Sequence, residues 1–247
     1  MDDFSQAFEE RLQEIEAYLE LLESLEKQVQ GGPPRIGEGG PTITVQQQRI
    51  LYSSVYLQLY NLVESTITRC VDAVSKAVVN KSWRPNDLSI ELRREWVRCT
   101  ARTHTDLNYE NRLQSALNLC DHLVEALPIS TFEVEKGGGA NWDDEEIYKL
   151  SKRLGLSLNI SREANRAVKQ PFRDGKGALS LIKNLRNKLA HGNLSFAECG
   201  ENITAHDLRV LTNQVALYMR EVVTCFKSSM DAHEFLLPER RPEGAKG

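Results

Sequence analysis

The sequence predicts an all-α protein, a helical bundle with one additional amphipathic helix at its N-terminus. Two observations carry this. Apolar residues recur at three- and four-residue spacing through most of the chain, the mark of helices with one buried face. Glycine and proline punctuate the gaps between these runs, where they stop helices. Only Ile129 to Val134 reads as a short extended piece, and no internal repeat is visible.

The first periodic run, residues 4–29, aligns Leu12, Ile15, Leu19, Leu22 and Val29, with Leu21 and Leu25 widening the stripe. About seven helical turns result, to be packed on the same domain or on a partner's helix. Residues 1–30 hold nine acidic residues against Arg11 and Lys27, a net of −7 in a chain whose net charge is −4, so the other 217 residues are net +3. The expectation is an acidic helical arm (1–30) on a mildly basic body, and the body is the part suited to a polyanion. Residues 31–42, rich in glycine and proline, read as a linker, and residues 43–237 as the bundle.

A long helix is expected over 44–80, through Ile50, Leu51, Val55, Leu59, Leu62, Val63, Ile67, Val71 and Val74, ending before Trp83-Arg84-Pro85. Glu64 sits at the wet edge of that stripe, either as a solvated side chain or as a carboxylate that orders a neighbouring cation. A shorter helix over 90–104 has an apolar side (Ile90, Leu92, Trp96, Val97, Ala101) and a basic side. The basic side, Arg93, Arg94, Arg98 and Arg102, is a solvated face or a phosphate-binding one. A helix over 109–127 follows, through Leu113, Ala116, Leu117, Cys120, Leu123, Val124 and Leu127, stopped by Pro128.

Gly137-Gly138-Gly139 matches neither phosphate-loop spacing, so no phosphate cradle is read there. Asn141 or Asp143 offers an N-cap to a helix through Ile147, Leu150 and Leu154, closed by Gly155. Residues 159–173 read as a loop, about 177–191 as a helix and 192–203 as a connection. Thr204-Ala205-His206-Asp207 looks like a capping box opening a last helix over 205–235. The charged tail 238–247 is expected to fray. That makes about seven helices.

The five cysteines are scattered and form no C-x-x-C pair, which fits a reduced, cytoplasmic chain. No signal peptide is read at the N-terminus. The longest uncharged apolar stretch, Ile50 to Val63, is too short to span a bilayer. The histidines (104, 122, 191, 206, 233) offer no H-x3-H pair, so neither metal nor cofactor is expected.

The chemistry gathers in Arg186-Asn187-Lys188-Leu189-Ala190-His191-Gly192. On an ideal helix Leu181, Ile182, Leu185 and Leu189 form a core face, while Lys183, Asn187 and His191 stack along one polar ridge at i, i+4 and i+8. Arg186 and His191 lie about 140° apart, so one straight helix does not bring them together. Imidazole exchanges protons near neutral pH, and guanidinium matches phosphate oxygens with a planar fork. Together they are equipped to cleave RNA. The histidine would assist attack by the ribose 2′-OH or protonate the leaving 5′-oxygen, and the arginine would stabilise the charged phosphorane. A two-fold dimer would set one chain's arginine near the other's histidine. The plainer reading is a helix end, where histidine suits the dipole and Gly192 is an ordinary stop.

Arg186 to His191 resembles the R-x4-6-H signature of the HEPN superfamily. Residues 142–236 resemble its MAE-type HEPN-like nuclease subgroup. The resemblance rests on Asn141-Trp142-Asp143, the segment Leu150 to Leu156, Arg186 to Gly192, Ser195 to Gly200 and Thr204 to Leu208. More weakly, the helix with Leu51-Tyr52 and Leu62-Val63-Glu64 is similar to that family's first core helix. About half the chain is covered, and the acidic residues 1–30 lie outside the pattern. The resemblance implies a HEPN-like bundle of four to five helices, a homodimer, and often metal-independent endoribonuclease activity in toxin–antitoxin or phage-defence systems. It makes Arg186 and His191 catalytic and Asn187 supporting, with Lys183 and Glu64 as further supporting candidates. RNA and a cognate antitoxin or defence-system protein are the implied partners. The alternative is a non-catalytic HEPN adaptor that binds RNA or protein.

Overall fold

A computed structural model of the chain describes residues 4–29, 31–37, 39–102, 106–135 and 141–242. Among these residues it is all-helical, with no β-strand and nine α-helices: α1 (Phe4–Val29), α2 (Val45–Asn80), α3 (Ile90–Thr100), α4 (Tyr109–Val124), α5 (Asp144–Arg153), α6 (Arg162–Lys169), α7 (Ala178–Ala190), α8 (Phe196–Cys199) and α9 (Ala205–Asp231). The triglycine 137–139, His104 and the tail 243–247 lie outside the described residues.

The bundle is built around α2. Thr44 opens it with a capping box, its Oγ1 accepting from the Gln47 N–H at 3.2 Å while its own N–H donates to Gln47 Oε1 at 2.8 Å. Over its 36 residues α2 buries Val55, Tyr56, Leu59, Tyr60, Leu62, Val63, Ile67, Val71, Val74 and Val78, among others. On an ideal helix these positions fill a broad half of the circumference, while Asn61, Arg69, Asp72 and Lys76 on the other half stay exposed. α1, α7, α8 and α9 all pack on it, and α6 braces α7 and α9. α8 comes closest: a Cβ on Gly200 would stand 1.9 Å from the Arg49 carbonyl oxygen, so only glycine fits there.

The acidic helix is a wall of this bundle. α1 buries Phe4, Phe8, Leu12, Ile15, Leu19, Leu22 and Leu25 in the same core as α2 and α9. Of the expected stripe, Leu21 and Val29 stay about half exposed, and Leu25 takes the buried place. Three of its carboxylates are used internally. Glu9 takes two hydrogen bonds from Arg220, and Glu23 one from Arg209 at 2.8 Å. Glu26 accepts from Tyr52 Oη at 2.8 Å and from the Ala205 N–H, at the start of α9, at 2.7 Å, where a helix presents unpaired donors and positive charge. The Gly/Pro stretch folds back on itself, with Ile43 N–H donating to the Pro34 carbonyl at 2.8 Å and Arg35 bridging Thr42.

Two short helices fall where loops were expected. In α6 only Ala164 and Val168 are buried, too few positions to set a period. α8 is a single turn with a Ser195/Glu198 capping box. Three ends move inward. α3 stops at Thr100, α4 at Val124 before Ala126 turns left-handed (φ 52°), and α9 at Asp231 before His233 does the same (φ 53°). Residues 129–134 form neither helix nor strand, with Ile129, Phe132 and Val134 buried. The apolar stripe of α4 is turned outward, and Ser115 is its one buried residue. No helix among the described residues is long and apolar enough to cross a membrane.

Leu19 is fully buried, so Leu19→Ala is expected to cost about 2–5 kcal/mol in urea unfolding; a change within about 0.5 kcal/mol would mean that α1 does not share the core. Hydrogen bonds from Arg220 and Arg209 hold the Glu9 and Glu23 carboxyls below the usual carboxylate range. A depressed folded-state pKa stabilises above the unfolded value, and the gain is lost as pH falls through the folded value. The stability gap between the wild type and Arg209→Gln/Arg220→Gln should therefore close between about pH 5 and about pH 2. Each pair contributes no more than about 1 kcal/mol. A gap that persists unchanged at acid pH would contradict the pairing.

Candidate active site

The site is carried by α7. Ala178, Leu179, Leu181, Ile182, Leu185 and Leu189 are its buried face, so the remaining positions must point away from the core. The helix ends in a Schellman turn. Gly192 is left-handed (φ 68°), its N–H donates to the Leu189 carbonyl at 3.2 Å, and the Asn193 N–H donates to that of Lys188 at 2.8 Å. This fixes His191 as the C-cap residue, exposed at the rim.

The polar ridge is tied down at two of its three positions, both times by the segment that leads into α5. Lys183 Nζ pairs with Asp143 Oδ2, while the other oxygen of Asp143 caps α5 by accepting from the Glu146 N–H at 3.0 Å. Asn187 donates from Nδ2 to Asn141 Oδ1 at 2.9 Å and accepts at Oδ1 from Arg186 Nη1 at 3.0 Å. The guanidinium of Arg186 lies over the ring of Tyr60, 4.7 Å from its centre, an attraction of about 0.5–2 kcal/mol. The Tyr60 hydroxyl in turn accepts from the Trp142 N–H at 3.4 Å. Burial pushes the Tyr60 phenol up and the charge of Glu64 adds to this; the Trp142 N–H, Arg186 and Lys183 oppose it.

Arg186 is half-buried, yet among the described residues its partners are a ring face and an amide, not a carboxylate. A guanidinium carries five N–H donors, and one is engaged here. The other four make no hydrogen bond among the described residues. His191 is five residues further on, about 140° around the helix, and no hydrogen bond joins the two. Neither residue borders either of two well-formed cavities among the described residues. The larger cavity, about 1010 Å³, runs along α2 between α1 and the end of α9 and is bordered by Glu64, Arg69 and Lys76. A second, about 570 Å³, shares Asp143 with the site. His191 stands exposed and Arg186 half-buried, outside both of these cavities.

The other candidates are placed as follows. Glu64 influences Tyr60 electrostatically and makes no hydrogen bond or ion pair with Arg186 or His191. Arg93 is committed to the loop before its own helix, donating to the carbonyls of Pro85, Asn86 and Leu88. Arg98 pairs at 2.5 Å with Glu95, a buried carboxylate that Arg153 also approaches at 3.4 Å. Arg94 and Arg102 are exposed. Two of the four cations of the expected basic face therefore serve the fold. Among the described residues no three His, Cys, Asp or Glu side chains are grouped to hold a metal ion.

Sequence reasoning missed Tyr60, and missed that Asn141, Trp142 and Asp143 converge on α7. Asn141-Trp142-Asp143 was visible as a feature of the resemblance, though not its role. Nothing local marks Tyr60, which is 82 residues from Trp142.

If the Asn141–Asn187 hydrogen bond orders the ridge, Asn141→Ala and Asn187→Ala will not be additive. A double-mutant cycle in urea is expected to give a coupling of about 0.5–1.5 kcal/mol, and full additivity would contradict the pairing.

No curated protein and no solved structure matches the chain. One family model does, the family described as HEPN_MAE_28990:/-like HEPN, and it spans residues 1–235. The match starts at the first residue, so the acidic helix belongs to the family pattern that the sequence reading began later. It supports a nuclease-like or RNA-related domain. An all-helical bundle matched over residues 1–235 therefore belongs to the HEPN superfamily, in its MAE-type subgroup.

Proposed function

We propose that the protein is a metal-independent endoribonuclease of a toxin–antitoxin or phage-defence system, acting as a homodimer through Arg186 and His191. One observation supports the reading: Arg186 is held half-buried by Tyr60 and Asn187, and no carboxylate among the described residues pairs with it. Keeping an unneutralised guanidinium in a partly desolvated place costs free energy. It is useful where an anion completes the site.

In this reading Arg186 binds the scissile phosphate and stabilises the charge that builds on the phosphorane. His191 takes the proton of the ribose 2′-OH or returns one to the leaving 5′-oxygen. The 2′-oxygen forms its bond to phosphorus as the bond to the 5′-oxygen breaks, leaving a 2′,3′-cyclic phosphate and a 5′-hydroxyl. Asn187 orients Arg186, and Lys183, paired with Asp143, fixes the ridge to the segment before α5. The two key groups are splayed on one helix, so a site assembled from Arg186 of one copy and His191 of the other is the natural geometry. A two-fold axis would place two such sites in one interface.

Purified protein on single-stranded RNA is expected to cleave in the presence of EDTA and to leave 2′,3′-cyclic phosphate ends. His191→Ala and Arg186→Ala should each lower the rate at least about 100-fold with the helical content unchanged. Expression of the wild type should slow growth, and His191→Ala should relieve it. Equal toxicity of the variant, or cleavage abolished by EDTA, would overturn the reading. The adaptor alternative would show RNA or protein binding retained by His191→Ala and no cleavage by either form.

A further inference from the structure

Helix α4 departs from the pattern of the other long helices. α1, α2, α7 and α9 each bury most of their apolar residues, seven in α1 alone. α4 buries only Ser115. Its apolar residues face solvent instead: Tyr109 is 76% exposed, Leu113 44%, Leu117 47% and Val124 83%. With exposed Cys120 these positions recur at four- and three-residue spacing and line four turns of one helix face, about 24 Å long. The body holds α4 by its opposite side, where His122 meets the ring of Trp96 at 5.7 Å and half-buried Leu119 packs on the core. Single exposed leucines need no explanation. A contiguous apolar face on a docked helix marks an interaction surface.

The charges beside the stripe identify what fits. Placed on an ideal helix, Glu110 and Asp121 adjoin Leu117 and Val124 along one edge, and Glu125 continues it just past the helix end. All three are exposed. The basic residue of the helix, Arg112, lies on the far side of the stripe and already pairs with Asp106 at 3.0 Å. The face is therefore apolar with an acidic margin. A second copy would bring the same margin, and a two-fold axis between antiparallel copies of α4 would set Glu110, Asp121 and Glu125 against their own counterparts. An anionic lipid surface is disfavoured for the same reason, since surface-bound helices carry basic margins. We infer that the outward face of α4 docks an amphipathic helix of another protein, with leucine-type anchors one turn apart and lysine or arginine along its edge. This surface is separate from Arg186 and His191, and the inference does not depend on the nuclease reading.

The test uses the full chain and two fluorescein-labelled synthetic helical peptides of about 18 residues. They share leucines at i, i+3, i+4 and i+7; one carries lysines along the margin and the other glutamates. Fluorescence anisotropy is expected to show the lysine peptide binding at least about tenfold more tightly. Leu113→Asp/Leu117→Asp should abolish this binding while the melting temperature holds, because both side chains are exposed already. Glu110→Lys/Asp121→Lys should reverse the preference between the two peptides. Absent or equal binding of both, or binding that survives Leu113→Asp/Leu117→Asp, would overturn the inference. So would a wild-type dimer that these substitutions dissociate in sedimentation, which would make the occupant a second copy. Co-sedimentation with phosphatidylserine vesicles that the same substitutions abolish would assign the face to lipid and also overturn it.

Discussion

The long helix α2 must bury a broad half of its circumference along 36 residues, more than one partner helix can cover. The amphipathic stripes of α1, α7 and α9, with the single turn α8, share that cover. Each of these partners has its orientation set by which side it must bury. For α7 this leaves Lys183, Arg186, Asn187 and His191 outside the core, beside the turn of α2 that carries Tyr60. The placement of the catalytic candidates thus follows from hydrophobic burial, the dominant favourable term in folding, before any polar contact forms.

Polar contacts then refine what burial leaves. The entry to α5 acts as a clip: Asn141, the Trp142 N–H and Asp143 reach Asn187, Tyr60 and Lys183 respectively. Three consecutive residues therefore order three polar groups on two helices. Arg186 sits at the centre of that arrangement, held by a ring face and an amide oxygen. Both partners keep the guanidinium in place without cancelling its charge, as an ion pair would. The acidic residues of α1 play the opposite part: Glu9 and Glu23 neutralise Arg220 and Arg209, and Glu26 the N-terminus of α9.

Much of the fold was legible because long helices repeat their pattern often. The stripes of α1, α2, α7 and α9 could be read residue by residue, and the Thr204/Asp207 capping box stands where expected. Short elements failed for the same reason: α6 has two buried positions and α8 one. Periodicity also says that a stripe needs cover without saying what covers it. It left open whether the acidic helix packs on the same domain or on a partner's, whereas its carboxylates meet arginines 186 and 211 positions away in the same chain. It gave α4 the look of a core helix, although that stripe faces outward. Of the candidate residues, Arg186, Asn187 and His191 were picked out by their spacing and by the resemblance, whereas Tyr60 enters through a tertiary contact that no local pattern encodes.

The central claim is that cleavage needs Arg186 and His191 from different copies. It is tested most directly by mixing Arg186→Ala with His191→Ala, each inactive alone, after co-refolding to let the chains exchange. A shared site leaves one intact Arg186–His191 pair in each mixed dimer, so the expected activity is about a quarter of wild type at equal proportions. No activity in the mixture, with mixed dimers demonstrated by mass spectrometry, would contradict a site built across two chains.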